Sequence, residues 1–446
     1  MYGHVTILGF SPNPDAIIAS GGRISTMDGT ADEIYQKSLD AGREKNEKLI
    51  AKVLSSGHTS VLEHCFVNLA FENVSVLAEQ FLIEFRLASF TVKSRRYVDF
   101  SKAGCVCPDF PDDAQKALFD ETVRKLFSIY DTLEAAGVPK EDARFVLPYC
   151  FCSNFFCSMN ARELVHVMNE LAYGRGSRIP ELRLLGESLF AQCEAALPFL
   201  AIRKEAAYRP AAEPLPQAAL PLTPGAPVTV LAATPNAETL ICNAYRLARG
   251  QMPQALTQDE QRTLLRTLLA QPRKRELEQA SFTLLFGGMS LAALTHLTRH
   301  RMQSLCAPDL LQNAQYGRYV LPETVLAAGQ EAAYREAFRL ASDAADKLRA
   351  MGCGLDTRYY LLLSGMTVPV LTTMNAGELD TFFRLRCCNR AQWEIRACAD
   401  AALFALREQA PLLFSLYGPT CCVAGACPEG KMCCGKQAEM RQKFCK

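Results

Sequence analysis

Apolar and polar residues follow one pattern twice along this chain. A short apolar strand is predicted at residues 5–8 and again at 228–231, and each is followed by a short helix. Longer helices with one polar face are predicted at 32–55 and at 258–270. The repeated order of elements predicts two domains of the same fold.

A strictly alternating segment in each half predicts a half-buried strand. The apolar residues of one face are Cys65, Val67, Leu69 and Phe71 in the first half, and Phe282, Leu284 and Phe286 in the second. Helices are predicted directly after these strands, at 75–85 and 290–298, and late in each half, at 160–171, 375–385 and 391–406. Helices mixed with alternating strands predict an α+β fold.

Two blocks of nearly identical sequence support the duplication. The sequence Val-Thr-Ile-Leu at 5–8 recurs as Val-Thr-Val-Leu at 228–231. Likewise, Met-Asn-Ala-Arg-Glu-Leu at 159–164 recurs as Met-Asn-Ala-Gly-Glu-Leu at 374–379. Because the two blocks lie near opposite ends of each half, the repeat extends over most of the chain.

The segment between the halves has a different composition. Residues 203–226 contain five prolines among alanines, which is typical of an extended, semi-rigid linker. We therefore predict a first domain at 1–202, a linker at 203–226 and a second domain at 227–446 that ends in a cysteine-rich tail.

The composition is that of a globular protein without a membrane segment. Hydrophobic residues make up 49% and charged residues 21% of the 446 residues, and no apolar run approaches the ~20 residues needed to span a bilayer. A net charge of +1 gives no global attraction to nucleic acid or membrane. The first residues lack the basic and apolar regions of an export signal, so we expect a cytoplasmic protein.

The chain contains 19 cysteines, spread along its length. In a long chain without an export signal, reduced thiols that pack as small apolar residues are favoured over disulfides. The tail concentrates Cys421, Cys422, Cys427, Cys433 and Cys434 at irregular spacings. Because this spacing lacks two tight pairs, no metal ligand is assigned, and a structural zinc and redox-labile thiols both remain open.

Two cationic clusters are the first candidates for chemistry. Arg299-His300-Arg301 follows a predicted apolar helix, and Ser94-Arg95-Arg96-Tyr97 combines a hydroxyl, two guanidiniums and a ring. Guanidinium groups bind phosphate and other oxyanions in a bidentate geometry. Taken alone, either cluster is equally consistent with a solvated basic turn or strand.

Further motifs surround these clusters in a fixed order. A His-x-x-x-x-Glu-His element ends at His64, Arg-Phe-Val-Leu-Pro begins at Arg144, Asn-Ala-Arg begins at Asn160, and Ala-Gln-Trp-Glu-Ile begins at Ala391. With the two cationic clusters, this ordered set resembles the flavin-dependent thymidylate synthase family. The resemblance covers almost the whole chain as two tandem copies.

The first copy retains one part of the family pattern. It keeps Ser94, Arg96 and Arg144. It departs at the Arg-His-Arg position, where residues 84–86 read Glu-Phe-Arg, and it has Leu171 in place of a late arginine.

The second copy retains the complementary part. Arg-His-Arg at 299–301 and the late Arg386 are intact. Tyr316, Tyr359 and Gly377 stand where the family has the loop serine, the arginine of Arg-x-Val-Leu-Pro and the arginine of Asn-Ala-Arg.

The family is a homotetramer whose sites lie between subunits, so the resemblance implies one live composite site formed by both copies. The opposite pairing of the copies lacks most of its cations and is expected to be silent. The expected assembly is a homodimer of such pseudo-dimers, which imitates the tetramer. No nucleic-acid or membrane partner is expected.

The implied activity is the reductive methylation of dUMP to dTMP, with methylenetetrahydrofolate and NADPH as co-substrates and FAD as cofactor. The residues implied as catalytic are Arg386, Arg144 and Ser94, with Ser94 positioning substrate rather than attacking it. The residues implied in substrate binding are Ser94, Arg95, Arg96, Arg144, Arg299 and Arg386. The residues implied in cofactor binding are Thr59, Glu63, Asn160, Arg162, His166, Arg299, His300, Arg301 and Met302.

Two other classes compete with this interpretation. The departures at Arg95, Tyr316 and Gly377 suit a non-catalytic flavin- or nucleotide-binding protein derived from the same family. An RNA-binding module is disfavoured, because the total charge is near neutral and no aromatic-rich stacking strand is present.

Overall fold

The computed structural model describes residues 2–96, 98, 100, 102–204, 227–306, 309–310 and 314–445. Tyr97 of the predicted basic loop, residues 205–226 of the predicted linker and part of the loop at 306–312 lie outside the described residues.

The described elements of the first half alternate between strands and helices. The strands are β1 (His4–Phe10), β2 (Phe66–Ser75), β3 (Ser89–Val92) and β4 (Cys152–Asn160). The helices are α1 (Pro14–Arg23), α2 (Ala31–Ala41), α3 (Arg43–Ser55), α4 (Val76–Leu82), α5 (Asp113–Ala135), α6 (Lys140–Ala143), α7 (Ala161–Ala172) and α8 (Pro180–Ala196). Short 3-10 turns occur at Thr59–His64, Arg144–Val146, Arg175–Arg178 and Pro198–Leu200.

The second half repeats this order. Its strands are β5 (Val228–Ala233), β6 (Ser281–Ser290), β7 (Ser304–Cys306) and β8 (Thr367–Asn375). Its described helices are α9 (Ala237–Leu247), α10 (Gln258–Leu269), α11 (Leu291–Leu297), α12 (Glu323–Ala327), α13 (Glu331–Ala350), α14 (Leu355–Tyr360), α15 (Ala376–Arg386), α16 (Trp393–Gln409), α17 (Pro411–Phe414), α18 (Thr420–Val423) and α19 (Gln437–Phe444). Further 3-10 turns occur at Arg275–Gln279 and Gly430–Met432.

Each half contains a four-stranded antiparallel sheet within the described residues. The strand orders are β1-β2-β4-β3 and β5-β6-β8-β7, which are the same order. The predicted α+β fold is therefore confirmed, with one sheet in each half.

The two sheets also share their irregularities. The register shifts between Ile7 and Gly9 in β1 and between Val230 and Ala232 in β5. Asn13 and Asn236, which precede helices α1 and α9, have left-handed φ values of 47° and 51°. Asparagine tolerates this conformation better than other non-glycine residues, so the repeated Pro-Asn motif marks the same turn in both halves.

The buried face of each second strand is the one that alternation predicts. Cys65, just before β2, and Val67, Leu69 and Phe71 have no exposed surface, and in β6 Phe282, Leu284 and Phe286 are at most 1% exposed. The predicted strand faces are therefore confirmed in both halves.

The predicted helix at 32–55 is wrong in one respect, because two helices occupy this segment. Helix α2 ends at Ala41 and α3 begins at Arg43, with Gly42 between them at φ 74°. Only glycine adopts this conformation without steric cost, so Gly42 interrupts a polar-faced pattern that otherwise continues across it.

The same buried serine–glutamate pair holds together equivalent elements of both halves. Ser75 caps helix α4, and its N–H and Oγ donate to Glu181 at 2.8 and 2.6 Å. Ser290 caps α11 and donates in the same way to Glu394 at 2.7 and 2.5 Å. Because all four residues are buried, each carboxylate is satisfied only through this pairing with the cap and its neighbours.

Contacts between Cα atoms divide the chain into two compact units. Unit 1 contains the described residues of 1–215 together with 321–364, and unit 2 contains those of 216–320 and 365–446. Segment 321–364 of the second half thus packs with the first, where Tyr149 N–H donates to the Leu362 carbonyl at 2.8 Å. This grouping differs in that segment from the division suggested by the sequence repeat.

Within the described residues, no helix is both long enough and apolar enough to cross a membrane.

Candidate functional site

One cavity of unit 1 brings together the five residues of the first copy that the family resemblance assigns to the cofactor. Thr59, Glu63, Asn160, Arg162 and His166 all line a cavity of about 780 − 50, that is ≈ 730 Å³. This volume lies within the range of small-molecule and cofactor sites.

The 3-10 turn Thr59–His64, the end of strand β4 and the start of helix α7 form this wall. Asn160 caps α7, with its side-chain oxygen accepting from the Glu163 N–H at 2.8 Å. Arg162, on the first turn of α7, lies 2.5 Å from a carboxylate oxygen of Glu63, and both side chains are about half exposed. The cavity therefore presents fixed, solvent-accessible polar groups of both signs.

His166 lies one turn further along α7. Its Nδ1 is 3.6 Å from a carboxylate oxygen of Glu163, and this hydrogen bond is the main cause that raises the pKa of His166 above its ordinary value. The ring packs edge-on against Phe85, with centroids 5.4 Å apart. An imidazole held in this way provides a donor at the cavity wall.

The predicted substrate residues of the first copy meet around Glu141, which follows the start of α6. Arg96 Nε donates to the Glu141 carboxylate at 2.6 Å, and Arg144 Nε donates to the Glu141 backbone carbonyl at 3.1 Å. Ser94 is exposed, and its Oγ lies 3.4 Å from the Arg96 N–H. Glu141 thus holds two guanidiniums close to the predicted serine turn.

Arg95 is directed elsewhere. It is 8% exposed and forms a buried ion pair with Glu79, which also accepts from Ser153 Oγ at 2.5 Å. Its guanidinium therefore stabilises the interior of unit 1, and this placement does not support the prediction that Arg95 binds substrate. Sequence alone does not distinguish it from Arg96, because its partner is distant along the chain.

In unit 2, His300 and Arg386 are in direct contact. Arg386 Nε lies 2.9 Å from His300 Nε2, and Arg386 Nη2 donates to the His296 carbonyl at 3.0 Å. His300 Nδ1 lies 3.0 Å from the Glu378 carboxylate, and the histidine is 4% exposed. Burial, reinforced by the Arg386 cation, lowers the pKa of His300, while Glu378 opposes this change.

Glu378 is a residue that the motifs did not single out. Glu378, Phe382 and Arg386 follow one another at intervals of one helical turn along α15, and all three contact the ring of His300. Their spacing on one face, together with the glutamate that both copies retain in the Asn-Ala block, is the signal that could have identified Glu378.

The first copy has lost this arrangement. Glu163 corresponds to Glu378, but Phe85 and Leu171 stand where unit 2 has His300 and Arg386. Phe85 is 8% exposed and Leu171 is fully buried. Apolar packing has therefore replaced the polar relay in unit 1.

The other predicted residues of the Arg-His-Arg cluster lie on the surface of unit 2. Arg299 and Arg301 are exposed, and Met302 is 70% exposed. Only His300 of the cluster is buried, so the cluster divides into one inward residue and three outward ones.

The cysteine-rich tail carries free thiols. Cys427 and Cys434 are partly exposed, and Cys433 and Cys445 are exposed. Within the part of the chain that the structure describes, no group of three or more histidine, cysteine or acidic side chains is placed to hold a metal ion.

Comparison with known families identifies the repeated domain. The family model described as thymidylate synthase complementing protein matches residues 6–199 and again 229–412. The chain therefore belongs to this family and contains two tandem copies of its domain. The resemblance inferred from the motifs is confirmed.

Individual relatives each match about half of the chain. The flavin-dependent thymidylate synthase of Geobacter sulfurreducens is 34% identical over 233 residues, which cover 49% of this chain and 97% of that protein. The flavin-dependent thymidylate synthase of Clostridium tetani is 31% identical over 245 residues, covering 50% of this chain and 98% of that protein. The crystal structure of thymidylate synthase X from Helicobacter pylori with FAD and dUMP is 19% identical, with a TM-score of 0.35, and covers 45% of this chain and 99% of that one.

Proposed function

We propose that this protein is a flavin-dependent thymidylate synthase that methylates dUMP to dTMP, with methylenetetrahydrofolate as the carbon donor and NADPH as the reductant. The observation that carries the proposal is the division of labour between the copies. Unit 1 retains the cavity lined by the predicted cofactor residues, and unit 2 retains the relay from Glu378 through His300 to Arg386. One complete set of residues is therefore present in each chain.

The cavity of unit 1 suits FAD. Its volume of about 730 Å³ accommodates a cofactor-sized ligand, and Arg162, His166 and Asn160 offer donors and acceptors along its wall. FAD, when bound, supplies the hydride chemistry of the reaction. The residues proposed to hold it are Thr59, Glu63, Asn160, Arg162 and His166 of the first copy, with Arg299, His300, Arg301 and Met302 of the second.

A dianionic nucleotide phosphate requires several fixed donors. We assign this role to Ser94, Arg96 and Arg299, because Arg96 is already oriented by Glu141. Arg96 must exchange part of this carboxylate contact for the phosphate, which a partly exposed ion pair allows at small cost.

Charge that develops on the uracil carbonyl oxygens requires preorganised cations. Arg386 is suited to this role because His300 and the His296 carbonyl fix the plane of its guanidinium. Arg144 is the second candidate, being buried and held by the Glu141 carbonyl. Both side chains are oriented before substrate arrives.

The proposal places these groups at one composite site, formed by both copies in one chain or across chains of an assembly that imitates a tetramer. The opposite combination of copies would place Tyr316 and Tyr359 against Glu84 and Leu171, and we propose that it is inactive. The cytoplasmic location expected from the sequence fits the supply of NADPH and folate.

The direct test is turnover of purified protein. Protein reconstituted with FAD is incubated with dUMP, methylenetetrahydrofolate and NADPH, and dTMP is quantified by chromatography, with Arg386→Ala as the inactive control. Formation of dTMP by the wild type alone supports the proposal. A yellow protein that binds dUMP and never forms dTMP would instead establish the non-catalytic flavin- and nucleotide-binding alternative.

A further inference from the structure

Unit 2 contains a cavity that the proposed function does not use. Its volume is about 780 Å³, and its wall includes Arg266, Lys274, Arg384, Tyr417, Phe444 and Cys445. Tyr417, Phe444 and Cys445 lie beyond residue 412, where the second family match ends. The tail that follows the family domain therefore completes this cavity.

The tail is held firmly in this position. Phe444 is 1% exposed and stacks on Phe404 with ring centroids 5.9 Å apart. The Phe444 carbonyl accepts from Arg407 at 2.6 Å, and Lys443 lies 2.5 Å from the Asp400 carboxylate. These contacts fix helix α19 and the wall that it contributes.

The cavity wall carries an excess of positive charge. Asp380, which is 5% exposed, pairs with both Lys274 at 3.0 Å and Arg384 at 2.8 Å. A single carboxylate therefore balances two cations. Arg266, on the last turn of α10, adds a third cation and is in none of the ion pairs formed by the described residues.

The thiols of the wall do not offset this charge. Burial raises the pKa of Cys422, another wall residue, to about 12. Leu269, Leu416 and Val423 line the rest of the cavity with apolar groups. The cavity thus combines cations at one part of its wall with an apolar remainder.

The cavity of unit 1 differs in charge at corresponding positions. Thr59 and Asn169 line that cavity where unit 2 has Lys274 and Arg384. The unit 1 wall also includes Glu63, Glu163 and Glu170. The second copy has therefore changed a wall of mixed charge into a cationic one.

We propose that the cavity of unit 2 binds an organic phosphate, with the phosphate group held by Arg266, Lys274 and Arg384 and an apolar or ring portion held against the tail. A phosphate monoester carries a charge of about −1.5 to −2 at neutral pH, which matches the surplus of cations. Guanidinium and ammonium groups together are a common donor set for phosphate. The inference does not depend on the proposed thymidylate synthase activity.

The test uses a cysteine of the wall as a local reporter. The full-length protein is treated with iodoacetamide in the presence of saturating dUMP, with and without phenyl phosphate, and alkylation of each cysteine is followed by mass spectrometry. Cys445 lies in the wall, whereas Cys433 is an exposed tail cysteine outside it. We expect phenyl phosphate to slow alkylation of Cys445 at least about fivefold and to leave Cys433 unchanged, with inorganic phosphate protecting more weakly.

A matched pair of variants on one helix assigns the effect to the cavity. Arg266→Ala should raise the phenyl phosphate concentration for half-protection about tenfold. Arg262→Ala, which removes an exposed arginine paired with Asp259 outside the wall, should leave it unchanged. Absence of protection, equal protection of Cys433, or equal effects of the two variants would overturn the proposal, and dTMP formation would be unaffected in each case.

Discussion

Arg386 Nε lies 2.9 Å from His300 Nε2. An arginine nitrogen can only donate, so His300 Nε2 must accept, and its other ring nitrogen must carry the proton and donate to Glu378. This tautomer follows from the hydrogen-bond network. A neutral histidine thus links a buried carboxylate to a guanidinium and orients both.

Replacing His300 with phenylalanine should remove the orientation of Arg386 without unfolding unit 2. Phenylalanine occupies the corresponding position in the first copy, and the packing against Phe382 is retained. We expect kcat/KM for dUMP to fall about 100-fold, because small displacements of catalytic groups have effects of this size. Steady-state kinetics and thermal unfolding measure the two properties separately.

The control for this variant is Leu171→Met, at the first-copy counterpart of Arg386. The substitution conserves volume in a buried position, so activity should remain close to that of the wild type. Wild-type kcat/KM in His300→Phe, or an equal loss in Leu171→Met, would show that the relay does not support catalysis.

Stability should fall on acidification because of the same histidine. Burial lowers the pKa of His300 below its ordinary value of 6.5, so the unfolded chain binds a proton near pH 6.5 that the folded protein binds only at lower pH. The contribution of this group to the free energy of unfolding is therefore constant above about pH 6.5 and decreases below it. Urea unfolding at about pH 7.5 and about pH 5.5 should show a smaller decrease for His300→Phe than for the wild type.

Arg95 and Arg96 are neighbours in sequence and should respond oppositely to removal. Arg95→Ala leaves Glu79 buried without its partner, which should cost about 3–5 kcal/mol of stability. Arg96→Ala breaks a partly exposed pair and should cost about 1 kcal/mol or less, while dUMP affinity falls about 10- to 100-fold. Unfolding and dUMP titrations on both variants provide the measurement, and a normal dUMP affinity in Arg96→Ala would exclude its proposed role.

Much of the fold follows from patterns that repeat in the sequence. The alternation in β2 and β6 identifies the buried faces correctly, since one side of each sheet packs on helices. Strands β4 and β8 were not predicted, although they pair with β2 and β6. In β8, Pro369 interrupts the pattern of a central strand, and it lies beside the register shift between Phe286 and Met289.

The site was predictable as a set of residues and not as a set of contacts. The motifs identify His300 and Arg386, but their contact joins residues far apart in the chain and depends on tertiary packing. The same reason conceals Glu378 as a partner and Arg95 as a buried ion-pair member. Motifs report which residue types are present, whereas burial decides whether each one faces a ligand or the core.

The proposal of a single live site per chain makes a quantitative prediction. Ser94→Ala combined with Arg96→Ala should abolish turnover, while Tyr316→Ala, at the second-copy counterpart of the serine position, should be nearly neutral. Equilibrium titration of the wild type should give one FAD and one dUMP per chain. Because Leu171 and Glu84 cannot replace Arg386 and Arg299 as cations, the second combination of residues has no means of holding the nucleotide. Two dUMP bound per chain at equal affinity, or equal loss of activity in Tyr316→Ala, would contradict the single-site proposal.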